Sequence, residues 1–437
     1  MNLPKLSDHF QSRLPSDIRC AQLEFEKRQE KIDAINVAIG NVSLPMHPSM
    51  QERAQNLTSK HSPFHNGIVR YTPTAGLEET RKAFLNVIAA SGFKSEKLFP
   101  MITDGGSAAM ELAVLGCCGP INSIDRPLMV IEPVYTNYIS MTKRTGRKTV
   151  KITRHLREDG KFTLPDMKTI EKMMEIHQPG ALVVIPYDNP AGQFYDHKTM
   201  IQLAKLCVKY NLWMVSDEAY RELFYIDAKV TSIWGITNTE VPGIEGRRIS
   251  IETTSKVWNA CGLRIGALIT DNYEFHEKCV FEATANLCPP AIDQYIFGSI
   301  AYEPQDKLQL WFKQQREYYK QIGKDLQDGF HEMLPKVIIS SPDASIYSVV
   351  DVRNIARPGF DATEFVMFCT KKGRIELSNK YYTLLVAPMK GFYHPEKGES
   401  NPGKTQMRIA YVETPERMKL VPKLFAQLFL EYENLRN

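Results

Sequence analysis

Short apolar runs alternate with amphipathic segments along most of the chain, from about residue 50 to residue 305. This alternation is typical of strands and helices that follow one another in a doubly wound sheet, whose parallel strands are buried on both faces. The clearest strand patterns are at residues 99–102, 128–131, 181–186, 212–215 and 249–251. The pattern therefore predicts an α/β fold with a mostly parallel sheet.

The pattern changes after residue 305. Residues 306–334 are one long charged amphipathic segment, which predicts an extended helix. Four shorter patterns follow, two of strands and two of helices: residues 336–339, 345–350, 364–369 and 415–435.

The length of 437 residues exceeds the usual size of a single hydrophobic core. We therefore expect a large domain at residues 50–305. A smaller α+β domain is expected to combine residues 1–49 with residues 306–437.

Polar residues with complementary chemistry follow the strand predicted at 249–251. Lys256 would lie at the carboxyl end of that strand, where open α/β sheets bind their ligands. The Lys256 amine can carry a Schiff base, and Thr253, Ser255 and Arg264 can hold a phosphate dianion beside it. Amine and phosphate groups together indicate pyridoxal phosphate. A lysine after hydroxyl residues is, however, more commonly a solvated surface residue.

Two upstream strands also end in polar residues. Asn189 begins an Asn-Pro-x-Gly turn after the run at 181–186, and Asp217 and Tyr220 follow the run at 212–215. A buried, ionised Asp217 would keep a pyridine nitrogen protonated by opposite-charge stabilisation. The alternatives are that Asp217 caps the next helix and that Asn189 only forms a turn.

With these motifs in this order, the chain resembles the class I/II aminotransferases, the fold-type I pyridoxal phosphate enzymes related to aspartate aminotransferase. The resemblance implies that Lys256 binds the cofactor covalently and shuttles a proton as base and acid. It also implies that Asn189 and Tyr220 contact the cofactor's phenolic oxygen. The implied activity is transfer of an amino group from an amino acid to a 2-oxo acid by a ping-pong mechanism, in amino acid metabolism.

Other cofactor positions follow from the same resemblance. Tyr135, after the run at 128–131, would stack on the cofactor ring. Gly105, Gly106 and Ser107 would cradle the phosphate at a helix N-terminus. Tyr71 would reach the phosphate of a neighbouring subunit, which makes a homodimer with shared active sites part of the expectation; packing within its own subunit is the alternative for this tyrosine.

Three residues match positions that bind the substrate in the family. Gly40 would lie on a strand near the substrate, Asn189 would contact it, and Arg408 would bind its α-carboxylate. No arginine occurs at residues 283–290, where aspartate aminotransferases keep one for the distal carboxylate. A neutral or aromatic amino donor, with 2-oxoglutarate as acceptor, is therefore expected. If Arg70 supplied the missing cation, the donor would instead be a dicarboxylate such as aspartate.

The walls of the side-chain pocket are expected near residues 41–44, Trp258, and the partner subunit's Arg70 and Asn286. Trp258 is bulkier than the small residues expected two positions after the lysine. It either narrows the pocket or fills core.

Two other functions remain open from the sequence. A lyase or synthase of the same fold, acting on a β- or γ-substituted amino acid, would use the same proton-abstracting groups. A regulator's effector domain on this fold would follow a DNA-binding domain, and the fold's own pattern begins before residue 40.

Composition bears on which binding partners and which cellular location are expected. The formal net charge of +4 and the scattered basic residues disfavour nucleic acid and membrane surfaces as partners. Eight cysteines without metal-ligand spacing indicate reduced thiols and no metal site. Since the N-terminus lacks the apolar core of a signal peptide, a cytoplasmic enzyme is expected.

Overall fold

The computed structural model describes residues 4–436. Its strands are β1 (Asp33–Asn36), β2 (Phe99–Asp104), β3 (Leu128–Glu132), β4 (Thr149–Thr153), β5 (His155–Leu156), β6 (Phe162–Thr163), β7 (Ala181–Val184), β8 (Trp213–Asp217), β9 (Arg248–Thr253), β10 (Ile265–Thr270), β11 (Ile338–Ile339), β12 (Tyr347–Asp351), β13 (Ile375–Leu377), β14 (Lys380–Leu385), β15 (Ala387–Pro388) and β16 (Gln406–Ala410). Its α-helices are α1 (Asp8–Gln11), α2 (Asp17–Glu26), α3 (Pro48–Gln55), α4 (Glu78–Ala90), α5 (Gly105–Cys117), α6 (Thr136–Arg144), α7 (Met167–His177), α8 (His197–Lys209), α9 (Tyr273–Ala283), α10 (Ala291–Gly298), α11 (Gln305–Met333), α12 (Ala362–Lys371), α13 (Pro415–Met418) and α14 (Val421–Leu435).

A seven-stranded sheet forms the centre of the molecule, in the order β2-β10-β9-β8-β7-β3-β4. Neighbouring strands run parallel except at β10, which is antiparallel to both β9 and β2. Every residue of β3, β7, β9 and β10 is buried. Because helices cover both faces of such a sheet, even the polar residues of these strands, such as Ser250 and Glu252, are buried. The predicted α/β fold with a mostly parallel sheet is confirmed.

Two smaller sheets contain most of the remaining strands. A four-stranded antiparallel sheet has the order β11-β12-β16-β15, and a three-stranded sheet has the order β1-β14-β13. In the latter, the N-terminal strand β1 runs parallel to β14, with Asp33 opposite Tyr382. This pairing joins the N-terminal segment to the C-terminal part of the chain. The domain boundaries expected at residues 50 and 305 stay a prediction.

Helix α11 is the long helix expected after residue 305. Its buried face packs against α4 on one side and α14 on the other. The Trp311 indole N–H on this helix donates to the Val257 carbonyl oxygen at 2.8 Å, next to Lys256. None of the helices within residues 4–436 combines the length and the apolar character needed to cross a bilayer.

Trp258 fills core. Its side chain is 2% exposed and lies edge-on to His47 and Phe312, at ring-centroid distances of 5.9 and 5.8 Å. It stacks nearly parallel to Trp311 at 6.4 Å. The expectation that Trp258 forms a wall of the substrate pocket is wrong, because these aromatic rings fill the space behind the lysine loop.

Candidate active site

The carboxyl ends of β7, β8 and β9 border a cavity of about 160 Å³. Parallel neighbours end at the same edge of a sheet, so polar residues that follow them in sequence meet there. The predicted residues that line the cavity are Gly106, Ser107, Tyr135, Asn189, Asp217, Tyr220, Thr253, Ser255, Lys256 and Arg264. The structure therefore brings together most of the residues singled out from the sequence.

Lys256 lines this cavity and contacts Gly40. The Lys256 ammonium donates a hydrogen bond to the Gly40 carbonyl oxygen. A Cβ atom at position 40 would lie 2.8 Å from the Lys256 Nζ and 2.4 Å from the Tyr347 hydroxyl, so only glycine fits. Gly40 was expected on a strand, but β1 ends at Asn36 and Gly40 lies in the loop beyond it.

Donor groups for an anion also line the cavity or border it. Helix α5 begins at Gly105, and the first amides of a helix point outward unpaired. The Thr253 and Ser255 hydroxyl oxygens lie 2.8 Å apart, and Arg264 donates to the Cys261 carbonyl oxygen at 3.0 Å. Hydroxyls, helix amides and a guanidinium together match the donor set that a phosphate dianion requires.

The Arg264 guanidinium occupies the space that a side chain at Gly105 would need. The φ of Gly105 is +75°, and a Cβ there would lie 2.3 Å from the Arg264 Nη2 atom. We expect Gly105→Ala to weaken pyridoxal phosphate binding at least about 10-fold, because backbone strain of about 1–3 kcal/mol adds to displacement of the guanidinium. Titration of the cofactor-free protein, followed by absorbance, measures this affinity.

Gly106→Ala is the matched control. A Cβ at Gly106 would make only ordinary contacts, the nearest at 3.4 Å from the Ile251 Cγ2 atom, and its φ is not positive. Its affinity should stay close to that of the wild type. Equal losses in the two variants would contradict the role given to Gly105.

Asp217 ends β8 with its carboxylate at the cavity. One oxygen accepts from the Tyr138 hydroxyl and the other from the Ala219 amide at 3.0 Å. Burial raises the pKa of Asp217 to about 6. Residues 219–222, which follow the strand, form turns and not a helix. The alternative of a helix cap is therefore wrong, and Tyr220 lies in a turn.

Asn189 connects Tyr220 to Arg408. The side-chain Nδ2 of Asn189 donates to the Tyr220 hydroxyl oxygen at 3.1 Å. The Arg408 Nη1 donates to the side-chain Oδ1 of Asn189 at 2.9 Å. The second Arg408 nitrogen, Nη2, donates to the Ala38 carbonyl oxygen at 2.8 Å. Burial and the neighbouring Tyr347 raise the pKa of Tyr220, so its hydroxyl stays protonated at neutral pH.

Tyr135 lies where α6 begins and lines the cavity, with its hydroxyl accepting from the Asn137 amide at 2.8 Å. Burial raises its pKa to about 12.

Tyr71 does not line the cavity: its side chain is 80% exposed, and Arg70 is also exposed. The role expected for Tyr71, contact with the phosphate of a neighbouring subunit, stays a prediction.

Two tyrosines near the predicted residues were missed from the sequence. Tyr138 lies one helical turn after Tyr135 on α6, and that spacing was a usable signal. Tyr347 begins β12 in the four-stranded sheet and has no such neighbour in sequence. Its hydroxyl lies 2.9 Å from that of Tyr220.

Residues 32–416 match the family model for aminotransferase class I and II. The chain belongs to this family. Enzymes of the aminotransferase class I and II family use pyridoxal 5′-phosphate, so the expected cofactor and enzyme class are confirmed. The chemistry of the donor groups around the cavity agrees with that cofactor.

Individual members of the family are similar at low identity over most of their length. The aromatic-amino-acid aminotransferase 2 of Thermococcus litoralis is 23% identical over 423 residues, covering 95% of each chain. The aspartate aminotransferase of Sulfolobus acidocaldarius is 23% identical over 352 residues, covering 76% of this chain and 83% of the relative. A Thermus thermophilus aspartate aminotransferase mutant has the same fold, with a TM-score of 0.78 at 19% identity over 98% of this chain and 100% of its own.

Proposed function

We propose that Lys256 binds pyridoxal phosphate in this cavity and that Arg408 binds the α-carboxylate of the amino acid donor. The proposal rests on the burial of Arg408 without a counter-ion. Its side chain is 5% exposed. No carboxylate within residues 4–436 forms an ion pair with it, and its Nε atom has no hydrogen-bond partner there. A buried guanidinium without a counter-ion is costly, and a substrate carboxylate would supply the missing charge.

The other buried arginines differ from Arg408 because each has a carboxylate partner. Each of three pairs with a buried or nearly buried carboxylate: Arg154 with Asp188 at 3.0 Å, Arg221 with Glu252 at 2.5 Å and Arg248 with Asp271 at 2.7 Å. Each of these three charges is therefore compensated within the protein. Arg408 is the exception, and it donates a hydrogen bond to the side chain of Asn189, which lines the cavity.

When bound, the cofactor supplies an aldehyde that accepts the amino group and a ring that withdraws electrons. Arg408 and Asn189 hold and orient the substrate carboxylate. Lys256, which lines the cavity, takes the proton from the substrate Cα and returns it as general base and acid. Asp217 would hold a proton on the ring nitrogen through its negative charge, and Tyr220 would donate a hydrogen bond to the phenolic oxygen.

The donor we propose is a neutral or aromatic amino acid, with 2-oxoglutarate as acceptor. Arg264 is the only arginine among the described residues that line the cavity, and it belongs to the phosphate end. The active enzyme we propose is a homodimer, in which Tyr71 and Arg70 are covered by the partner subunit. A location in the cytoplasm stays a prediction.

A comparison of tyrosine with tyramine, which lacks the carboxylate, tests the role of Arg408. We expect the wild type to prefer tyrosine in the first half-reaction, followed by loss of the long-wavelength absorbance and its return with 2-oxoglutarate. Arg408→Lys should lower kcat/KM for tyrosine by at least about 30-fold, because a bidentate buried charge pair contributes about 2–5 kcal/mol. The tyramine rate should not change.

A panel of amino acids then tests the donor class. A preference for aspartate that Arg70→Ala abolishes would contradict the neutral or aromatic donor and assign the distal carboxylate to Arg70. Release of ammonia and pyruvate from a β-substituted amino acid, without consumption of a 2-oxo acid, would instead identify a lyase.

A further inference from the structure

Tyr347 lies between the two parts of the site that come from different sheets. It begins β12 in the four-stranded sheet, is 2% exposed, and its hydroxyl oxygen lies 2.9 Å from that of Tyr220. Tyr220 follows β8 of the seven-stranded sheet. The Arg408 Cζ atom lies 4.3 Å from the centroid of the Tyr347 ring. One side chain thus contacts both the proposed carboxylate-binding group and the proposed cofactor-contacting group.

The Tyr347 hydroxyl also lies close to the Lys256 amine. A Cβ atom built on Gly40 would be within 2.8 Å of both the Tyr347 oxygen and the Lys256 Nζ. These two polar atoms therefore share the small space that the glycine leaves. Substrate Cα chemistry at Lys256 would take place beside the Tyr347 hydroxyl.

The hydrogen-bond geometry gives this hydroxyl a definite role. The Tyr220 oxygen already accepts from the Asn189 amide at 3.1 Å. If Tyr347 donates to its second lone pair, the acceptor capacity of the Tyr220 hydroxyl is filled and its own proton is left to donate to the cofactor. Without Tyr347, the Tyr220 proton is free to turn toward other acceptors.

We propose that Tyr347 is a positioning residue: its hydroxyl directs the Tyr220 proton to the cofactor, and its ring supports the Arg408 guanidinium. The inference rests on the proposed function and adds a residue to it. Five titratable or charged groups surround the Tyr347 side chain: Tyr135, Tyr220, Lys256, Tyr319 and Arg408.

Two substitutions separate the hydroxyl from the ring. Tyr347→Phe keeps the ring under Arg408, so we expect the half-reaction rate to fall about 10-fold while the Kd of an unreactive carboxylate, 3-phenylpropionate, stays unchanged. The pH dependence of the holoenzyme's long-wavelength band should shift as well. Tyr347→Leu should in addition raise the Kd of 3-phenylpropionate about 10-fold, because the cation–π contact is lost.

A double mutant and a substitution of another buried tyrosine provide the controls. In a Tyr220→Phe background, Tyr347→Phe should have no further effect on the rate or the band, because the hydroxyl acts through Tyr220. Tyr411→Phe removes another buried tyrosine hydroxyl, bonded to Ser348, and should leave both readouts at wild-type values.

The inference is overturned if Tyr347→Phe matches the wild type in rate and band, or if its effect persists in full in the Tyr220→Phe background. An absent half-reaction in the wild type would contradict the proposed function instead. In that case the pH dependence of the band still tests Tyr347, since it requires only the bound cofactor.

Discussion

Lys256→Ala should lower kcat by about 10⁴-fold while leaving the protein folded. The loss is large because the same amine attaches the cofactor and moves the proton of the substrate Cα, and a positioned acid–base group alone contributes about 10²–10⁴-fold. Borohydride reduction followed by peptide mass spectrometry measures the attachment. Wild-type enzyme should carry the cofactor on the peptide that contains Lys256, and the variant should carry none.

Lys229→Ala is the control for this substitution, since Lys229 is exposed. It should retain wild-type turnover and the reduced adduct at Lys256. An adduct on another lysine in the wild type, or turnover in Lys256→Ala within 10-fold of the wild type, would contradict the role of Lys256.

Asp217→Asn should affect activity and stability in opposite directions. An adjacent carboxylate changes the pKa of a cationic partner by about 1–3, so its loss should lower the protonated fraction of the ring nitrogen, and with it the rate, by up to about 10³-fold. Asparagine keeps the size of the side chain and can still accept from the Ala219 amide. Steady-state kinetics with saturating cofactor measure the loss.

The stability effect follows from the raised pKa of Asp217. Burial raises this pKa from 3.8 to about 6 in the folded protein, which therefore binds the proton more tightly than the unfolded chain does. The stabilisation is fully present below about pH 4 and is lost as the pH rises to about 6, which corresponds to about 3 kcal/mol. Cofactor-free Asp217→Asn should consequently be more stable than the wild type near neutral pH, by up to about 3 kcal/mol, and equal to it near pH 4.

Urea unfolding of the two cofactor-free proteins at several pH values measures this difference. Asp227→Asn, at an exposed position, should show no such pH-dependent gain. A less stable Asp217→Asn at neutral pH would show that the carboxylate's hydrogen bonds with Tyr138 and Ala219 outweigh its desolvation.

The strand-end residues could be predicted from the sequence because their positions depend on local order. Asn189, Asp217 and Lys256 each follow a buried strand, and the three strands are neighbours in one parallel sheet. Parallel strands bring their carboxyl ends to one edge, so residues far apart in sequence meet without further information. The N-terminus of α5 at Gly105 was predictable for the same reason, since glycines after a strand pattern mark such a turn.

Other features depended on which surfaces pack together, and sequence order does not contain that information. The buried, ion-pair-free state of Arg408 results from the docking of the small sheets against the large one. Tyr138 on α6 meets Asp217 at the end of β8 only in the folded chain, and Tyr347 meets Tyr220 only across the two sheets. Trp258 is in the core because α11 brings Trp311 and Phe312 against it, which no pattern around Lys256 indicates. Periodicity thus determined the elements and their ends, whereas long-range packing decided which polar groups are paired and which are left for a ligand.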